Sequence, residues 1–110
     1  SGVGVLLNQG NGTFAAGVSY STALSAESVA TADINGDGKP DLVAANRVDG
    51  SATVLLNDGG GTFAIAASYA AGAAPVWVAP ADLNGDGRTD LAVADYSGYQ
   101  VSILFNTCLP

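Results

Sequence analysis

The chain has 110 residues, ten acidic and three basic, for a formal net charge of −7, with no His, no Met and one Cys. Three cations cannot neutralise a row of phosphates, which excludes a nucleic-acid binder. No His and one Cys exclude a structural zinc, a Ser-His-Asp or Cys-His pair and an internal disulfide framework.

In chain order, the first apolar run is Val3 to Leu7, followed by the turn Gln9-Gly10-Asn11-Gly12 and a second run, Phe14 to Tyr20. Asn11-Gly12-Thr13 matches a glycosylation sequon, but inside a tight turn it carries little weight. Val29 to Ala32 leads into an acidic stretch, Asp33 to Asp41, and Leu42 to Ala45 follows it directly. A polar turn, Asn46 to Gly50, precedes a β-rich run from Thr53 to Leu56. The turn Asp58-Gly59-Gly60-Gly61 then leads to Phe63 to Tyr69. The order then restarts: Val78 to Ala81, an acidic stretch Asp82 to Asp90, Leu91 to Ala94, a turn Asp95 to Tyr99, and Val101 to Phe105. The many alanines are interrupted by Gly, Pro, Thr, Ser and Val, and no segment keeps a 3.6-residue period with caps, so all of these runs read as strands.

The restart is a true repeat. Shifting the sequence by 49 superposes 61 positions without a gap, and 24 are identical. Four short strands per unit of this length is the pattern of a β-propeller blade. A β-sandwich gives no reason for a 49-residue period. The expected class is therefore all-β, with blades of four antiparallel strands and about two blades per chain. Residues 1–110 form one repeat region. Residues 1–24 hold the third and fourth strands of a partial blade, 25–73 a complete blade, and 74–110 the first three strands of another. Two blades cannot close a ring, and their open edges invite pairing. The chain therefore either assembles with copies of itself or belongs with neighbouring blades of a longer chain. The duplicated third strand, Val3 to Leu7 against Val101 to Phe105, fits neither arrangement simply. One of the two is expected to be displaced. No segment has the length and apolarity of a transmembrane span, so no membrane insertion is expected.

The acidic stretches carry the chemistry. Asp33, Asn35, Asp37 and Asp41 recur as Asp82, Asn84, Asp86 and Asp90, in the pattern D-x-N-x-D-G-x-x-D. Oxygen side chains at positions 1, 3 and 5, a Gly at 6 and a closing carboxylate at 9 suit a hard cation such as Ca²⁺. Lys39 and Arg88, at position 7, would contribute only their backbone carbonyls. Two structural Ca²⁺ sites per chain are expected, and they would bring the charge to −7 + 4 = −3. An EF-hand needs a Glu at position 12 and flanking helices. Here position 12 is Ala44 or Val93, between strands. The metal-free alternative is an Asx-rich turn, in which three crowded carboxylates would destabilise one another.

The unit resembles the FG-GAP or VCBS repeat, the calcium-binding blade of integrin-α-like β-propellers, in its bacterial form. The likeness lies in the loop Asp33 to Asp41, Leu42-Val43-Ala44-Ala45-Asn46, Val54-Leu55-Leu56-Asn57 and Gly61-Thr62-Phe63, with their counterparts. The Phe-Gly and Gly-Ala-Pro elements that name the family are only partly present. The resemblance implies a structural metal joining the first two strands of a blade, and an extracellular setting, secreted or at the cell surface. It names no partner.

Outside the loops, Trp77 stands in an apolar strand and is expected to pack between blades, with a sugar platform as the lesser alternative. Tyr96 and Tyr99 flank a turn and could stack on a glycan. Cys108 has no base to activate it and reads as an incidental or intermolecular thiol. The expected function is non-enzymatic: a calcium-binding module for extracellular recognition or adhesion, lectin-like if carbohydrate is the ligand, with a glycan or an extracellular protein as partner. The alternative is a purely structural accessory or stalk repeat.

Overall fold

A computed structural model describes residues 2–22 and 25–107. Cys108, singled out above, lies outside them. The described residues form nine strands and no helix: β1 (Gly2–Val5), β2 (Val18–Ser21), β3 (Ala26–Ala32), β4 (Asp41–Asn46), β5 (Ser51–Asn57), β6 (Phe63–Ala70), β7 (Pro75–Ala81), β8 (Asp90–Asp95) and β9 (Gln100–Leu104). They build three antiparallel meanders: a β1-β2 hairpin, a four-stranded β3-β4-β5-β6 sheet and a three-stranded β7-β8-β9 sheet. Each is a propeller-blade-like unit or part of one, and the nine strands are those expected from the sequence.

The N-terminal hairpin departs from expectation in extent. The run from Phe14 to Tyr20 was expected to be one strand, but only Val18–Ser21 pairs continuously. Phe14 keeps a single bridge to Asn8, and Ala15 N–H donates to the Leu7 carbonyl at 2.8 Å. Gly17 interrupts the run, with the Leu6 side chain against it. A glycine loses more freedom on ordering and has no side chain to pack, so the ladder breaks there.

Alternation along the strands gives each sheet two faces. We call forward the face of the four-stranded sheet that carries Val43, Ala45, Ala52 and Val54. It packs onto the rear face of the three-stranded sheet, which carries Val78, Leu91 and Val93, and together these residues form the core. Ala30, Ile34, Leu56 and Leu104 border it. Under the 49-residue shift, Val78, Leu91 and Val93 correspond to Val29, Leu42 and Ala44, which lie on the rear face of the four-stranded sheet. The sheets therefore stack head to tail.

The hairpin follows the same rule. Leu7 lies over Gly61, and the rings of Tyr20 and Phe63 meet edge to face at 5.8 Å. Tyr20 Oη accepts the Phe63 N–H at 3.2 Å. Between hairpin and sheet a polar cluster is buried: Asn46 Nδ2 donates to Ser51 Oγ and Thr53 Oγ1, and Thr53 and Ser68 share a hydroxyl hydrogen bond of 2.8 Å.

Candidate metal loops

Each acidic loop joins the first strand of a sheet to the second, β3 to β4 and β7 to β8. Within each loop the backbone wraps around the position-1 carboxylate. Asp33 Oδ1 accepts the N–H groups of Gly36 and Asp37 at 2.9 and 3.1 Å, and Oδ2 accepts Gly38 N–H at 2.7 Å. Asp82 repeats this with Gly85, Asp86 and Gly87 at 2.9, 3.2 and 2.8 Å. Position 6 is Gly38 or Gly87, at φ +83° and +82°, the left-handed region that only glycine enters without strain. Asn35 and Asn84 each accept the position-5 N–H at 3.4 Å. Asp37 Oδ1 accepts Lys39 N–H and Asp86 Oδ1 accepts Arg88 N–H, both at 2.9 Å.

The position-9 carboxylates are fully buried and tie the loop to the sheet. Asp41 accepts Ile34 N–H at 2.8 Å and, on its other oxygen, Asn57 N–H at 2.8 Å. Asp90 takes Leu83 N–H at 2.9 Å and Asn106 N–H at 2.8 Å. A single carboxylate thus fastens its loop to the end of the third strand. The result is a close triad: oxygens of Asp33, Asp37 and Asp41 lie within 4.8 Å of one another, as do those of Asp82, Asp86 and Asp90.

Two of these carboxyls are held below the ordinary carboxylate range. For Asp37 the Lys39 N–H is the main cause, with the Lys39 charge and a hydrogen bond from Asn35 adding to it. For Asp82 the Gly87 N–H leads, with the Gly85, Asp86 and Asn84 N–H groups behind it. In both, partial desolvation opposes the shift. Hydrogen bonds to the charged form keep these groups ionised although like charges surround them.

The donor set suits a hard divalent cation. It is all oxygen, and each loop sets three carboxylates against one basic residue, Lys39 or Arg88, leaving a charge of −2. Arg88 Nη1 sits 3.4 Å from Asp86 Oδ2. Lys39 runs along Gly59.

One feature lies outside the residues expected from the loop pattern. The first loop is held by the second repeat: Thr89 Oγ1 donates to the Asp33 carbonyl at 3.2 Å, and Asn106 Nδ2 to the Ile34 carbonyl at 2.8 Å. Asn57, the counterpart of Asn106, instead donates to Pro40 of its own loop at 2.9 Å. The recurrence of Asn8, Asn57 and Asn106 at the 49-residue spacing is the signal that could have marked Asn106, whereas Thr89 stands where the first repeat has Pro40.

A profile of the FG-GAP-like repeat matches residues 1–44 and 33–93. The chain belongs to the FG-GAP-like repeat family. No curated protein and no solved structure matches it significantly. FG-GAP-like repeats often bind Ca²⁺, are generally non-catalytic modules and are typical of extracellular proteins. Among the described residues, no helix is long and apolar enough to cross a membrane.

The aromatic candidates of this FG-GAP-like chain lie apart from the loops. Trp77 is 64% exposed, on the forward face of the three-stranded sheet, rather than packed between sheets. Tyr96 is stacked by the Arg47 guanidinium, 5.2 Å from the ring centre, and Arg47 also stands 3.9 Å from Glu27. Tyr99 is 98% exposed. A groove of about 320 Å³ between the two larger sheets is lined by Leu56, Tyr69, Leu91 and Leu104, and by none of these three.

Proposed function

We propose that this chain is a calcium-stabilised, non-catalytic blade module that serves extracellular recognition or adhesion. The observation that carries the reading is the pair of carboxylate triads, each within 4.8 Å and each closed by a buried Asp bonded to the sheet behind it. Asp33, Asn35, Asp37 and Asp41 would hold one ion, with Asp82, Asn84, Asp86 and Asp90 holding the other. The position-7 carbonyls of Lys39 and Arg88 complete each set. The bound ion would balance the −2 charge of its loop and fix the turn between the first two strands. A catalytic role finds no support: the clustered carboxylates serve the loops, and the sequence offers no nucleophile with a base beside it.

The test is thermal unfolding with and without calcium. A ligand that binds only the folded state at a hundred times its Kd adds about 2.7 kcal/mol per site. The melting temperature should rise with Ca²⁺ and fall back with a chelator. An unchanged melting temperature sinks the metal reading.

The recognition surface we favour is the turn carrying Tyr96 and Tyr99. Both rings are largely exposed and Arg47 braces one of them, an arrangement suited to the apolar face of a sugar. A glycan screen of the calcium-loaded chain, repeated with Tyr96→Ala and Tyr99→Ala, tests it. Saturable binding that both variants weaken supports a lectin-like role. Absence of binding leaves a structural accessory repeat.

A further inference from the structure

We propose that Asn11 is a site of spontaneous main-chain rearrangement, losing ammonia through a succinimide to leave aspartate or isoaspartate, and that Asp33 and Asp82 shield Asn35 and Asn84 from the same reaction. The proposal is independent of calcium and of any partner.

An asparagine followed by glycine is open to this reaction, because no Cβ on the second residue obstructs its nitrogen. The chain has three such pairs, Asn11-Gly12, Asn35-Gly36 and Asn84-Gly85. The Gly12 nitrogen, after giving its proton to hydroxide, attacks Asn11 Cγ and forms a carbon–nitrogen bond. The carbonyl electron pair moves to Oδ1 and returns as the bond to the side-chain nitrogen breaks. That nitrogen leaves as ammonia with a proton from water. Water then opens the five-membered imide. Opening at Cγ gives aspartate, and opening at the main-chain carbonyl gives isoaspartate, in which the chain runs through Cγ. An amide and a water are consumed, a carboxylic acid and an ammonia are formed, and nothing is oxidised or reduced.

Access and backbone shape do not separate the three pairs. All three asparagines are exposed. Gly12, Gly36 and Gly85 have φ of +85°, +77° and +78°, and a Cβ on any of them would meet nothing within 4 Å. The hydrogen bonds do separate them. Gly36 N–H donates to Asp33 Oδ1 and Gly85 N–H to Asp82 Oδ1, both at 2.9 Å. Each nitrogen must break that bond to attack, and a bond to a charged acceptor is among the stronger ones. The carboxylates of each loop also oppose the negative charge that develops first on the nitrogen and then on the asparagine oxygen.

The Asn11 turn is the reverse case. Among the described residues nothing accepts the Gly12 N–H. The segment from Asn8 to Phe14 contains no charged residue. Asn11 Oδ1 accepts Thr13 N–H at 3.1 Å and the Thr13 hydroxyl at 2.5 Å. Both donors are aimed at the oxygen that becomes an oxyanion, the arrangement that lowers the barrier to acyl transfer. The same dipeptide is thus activated in one turn and held in two.

The position-1 carboxylate of each acidic loop therefore has a second task. It preserves the asparagine two residues on, which belongs to the same oxygen donor set. Isoaspartate in place of Asn11 would add one atom to the main chain of the turn that sets Gln9 N–H on the Thr13 carbonyl at 2.9 Å and Asn8 opposite Phe14.

The test stores the full chain in warm, mildly alkaline buffer with a chelator and follows each asparagine by fragmentation mass spectrometry. This reads the amide-to-acid mass gain and separates isoaspartate from aspartate. Asn11 should convert at least about tenfold faster than Asn35 and Asn84, a ratio that one hydrogen bond to a charged group suffices to produce. In denaturant the ratio should shrink toward one. Thr13→Val should slow Asn11 several-fold and leave the loops unchanged, and Asp33→Asn should speed Asn35 while sparing Asn84. Conversion of Asn35 or Asn84 at the rate of Asn11 in the folded chain overturns the proposal, as does a ratio that survives unfolding. Failure of either variant to move its own asparagine overturns it as well. So does aspartate without isoaspartate, since direct hydrolysis of the amide gives only the former.

Discussion

The two repeats carry the same loop and nearly the same strands, yet they occupy different surroundings. The first repeat has a neighbour on both faces, the hairpin on part of its rear face, where Val29 stays 51% exposed, and the three-stranded sheet on its forward face. The second is covered on its rear face only. The effect reaches the acidic loops. Asp33 and Ile34 of the first present their carbonyls to Thr89 and Asn106, and Ile34 borders the core. In the second loop Leu83, the counterpart of Ile34, is 45% exposed. Nearly identical loops are therefore held to different degrees, because a loop is braced by what is stacked against it as well as by its own sequence.

The largest test of this difference removes the buried closing carboxylate from each loop in turn. Asp41→Ala orphans the N–H groups of Ile34 and Asn57, and Asp90→Ala those of Leu83 and Asn106. Each unpaired buried donor costs about 1–3 kcal/mol, so either change should lower stability by about 2–6 kcal/mol. Asp41→Ala should cost about 1 kcal/mol more, because the Thr89 and Asn106 contacts depend on the order of that loop. Denaturant unfolding of the two variants measures the gap. Equal losses would show that the second repeat does not stiffen the first.

A smaller effect isolates the cross-contacts. Thr89→Val removes one hydroxyl donor of similar shape and should cost about 0.5–1.5 kcal/mol. If the sites bind calcium as proposed, it should weaken the first site and spare the second. Calorimetric titration would then resolve two unequal sites moving closer together. Parallel weakening of both would break the comparison.

The strands and loops were legible in the sequence because a repeat prints its pattern twice. The period, the turn glycines and the D-x-N-x-D-G-x-x-D spacing are local features, and the nine strands follow them. What a residue faces is not local. Val54 and Ile103 occupy equivalent positions in equivalent strands, yet one is buried and the other is not. Only the number of stacked neighbours separates them. The same holds for Thr89, whose role depends on a loop 56 residues away. The shortened β2 was missed because Phe14 and Tyr20 match the fourth strand of the first complete blade, while Gly17 stands where that strand has Ala66.

Acid offers a comparison without mutation. In calcium-free solution the lowered carboxyls of Asp37 and Asp82 favour the folded state when ionised. A depressed folded value gives stability that is complete above the ordinary carboxylate range and is lost as the pH falls through the folded value. The melting temperature should therefore drop below about pH 4. Asp37→Asn and Asp82→Asn should each flatten that drop, the former through the first loop and the latter through the second. A profile unchanged by both would mean that these exposed groups contribute nothing to folding.

The smallest expected effect lies in the turns opposite the loops. Gly50 closes the turn of the first repeat at φ +65°, and its N–H donates to Asn46 at 3.1 Å. Tyr99 occupies the same place in the second repeat, at φ +52°. A left-handed backbone costs a residue with a Cβ about 1–2 kcal/mol, whereas glycine bears no such strain but is freer in the unfolded chain. Tyr99→Gly should therefore stabilise the chain by about 0.5–1 kcal/mol net, a rise of about 2–7 °C in melting temperature. Tyr99→Ala keeps the strained backbone and should give no such gain. A strained, almost fully exposed tyrosine in place of a relaxed glycine is what a surface selected for contact would retain at a cost in stability. If the turn recognises glycans, Tyr99→Gly should raise the melting temperature and weaken binding together. Stabilisation with binding intact would remove Tyr99 from the recognition surface and leave Tyr96, braced by Arg47, as its remaining aromatic.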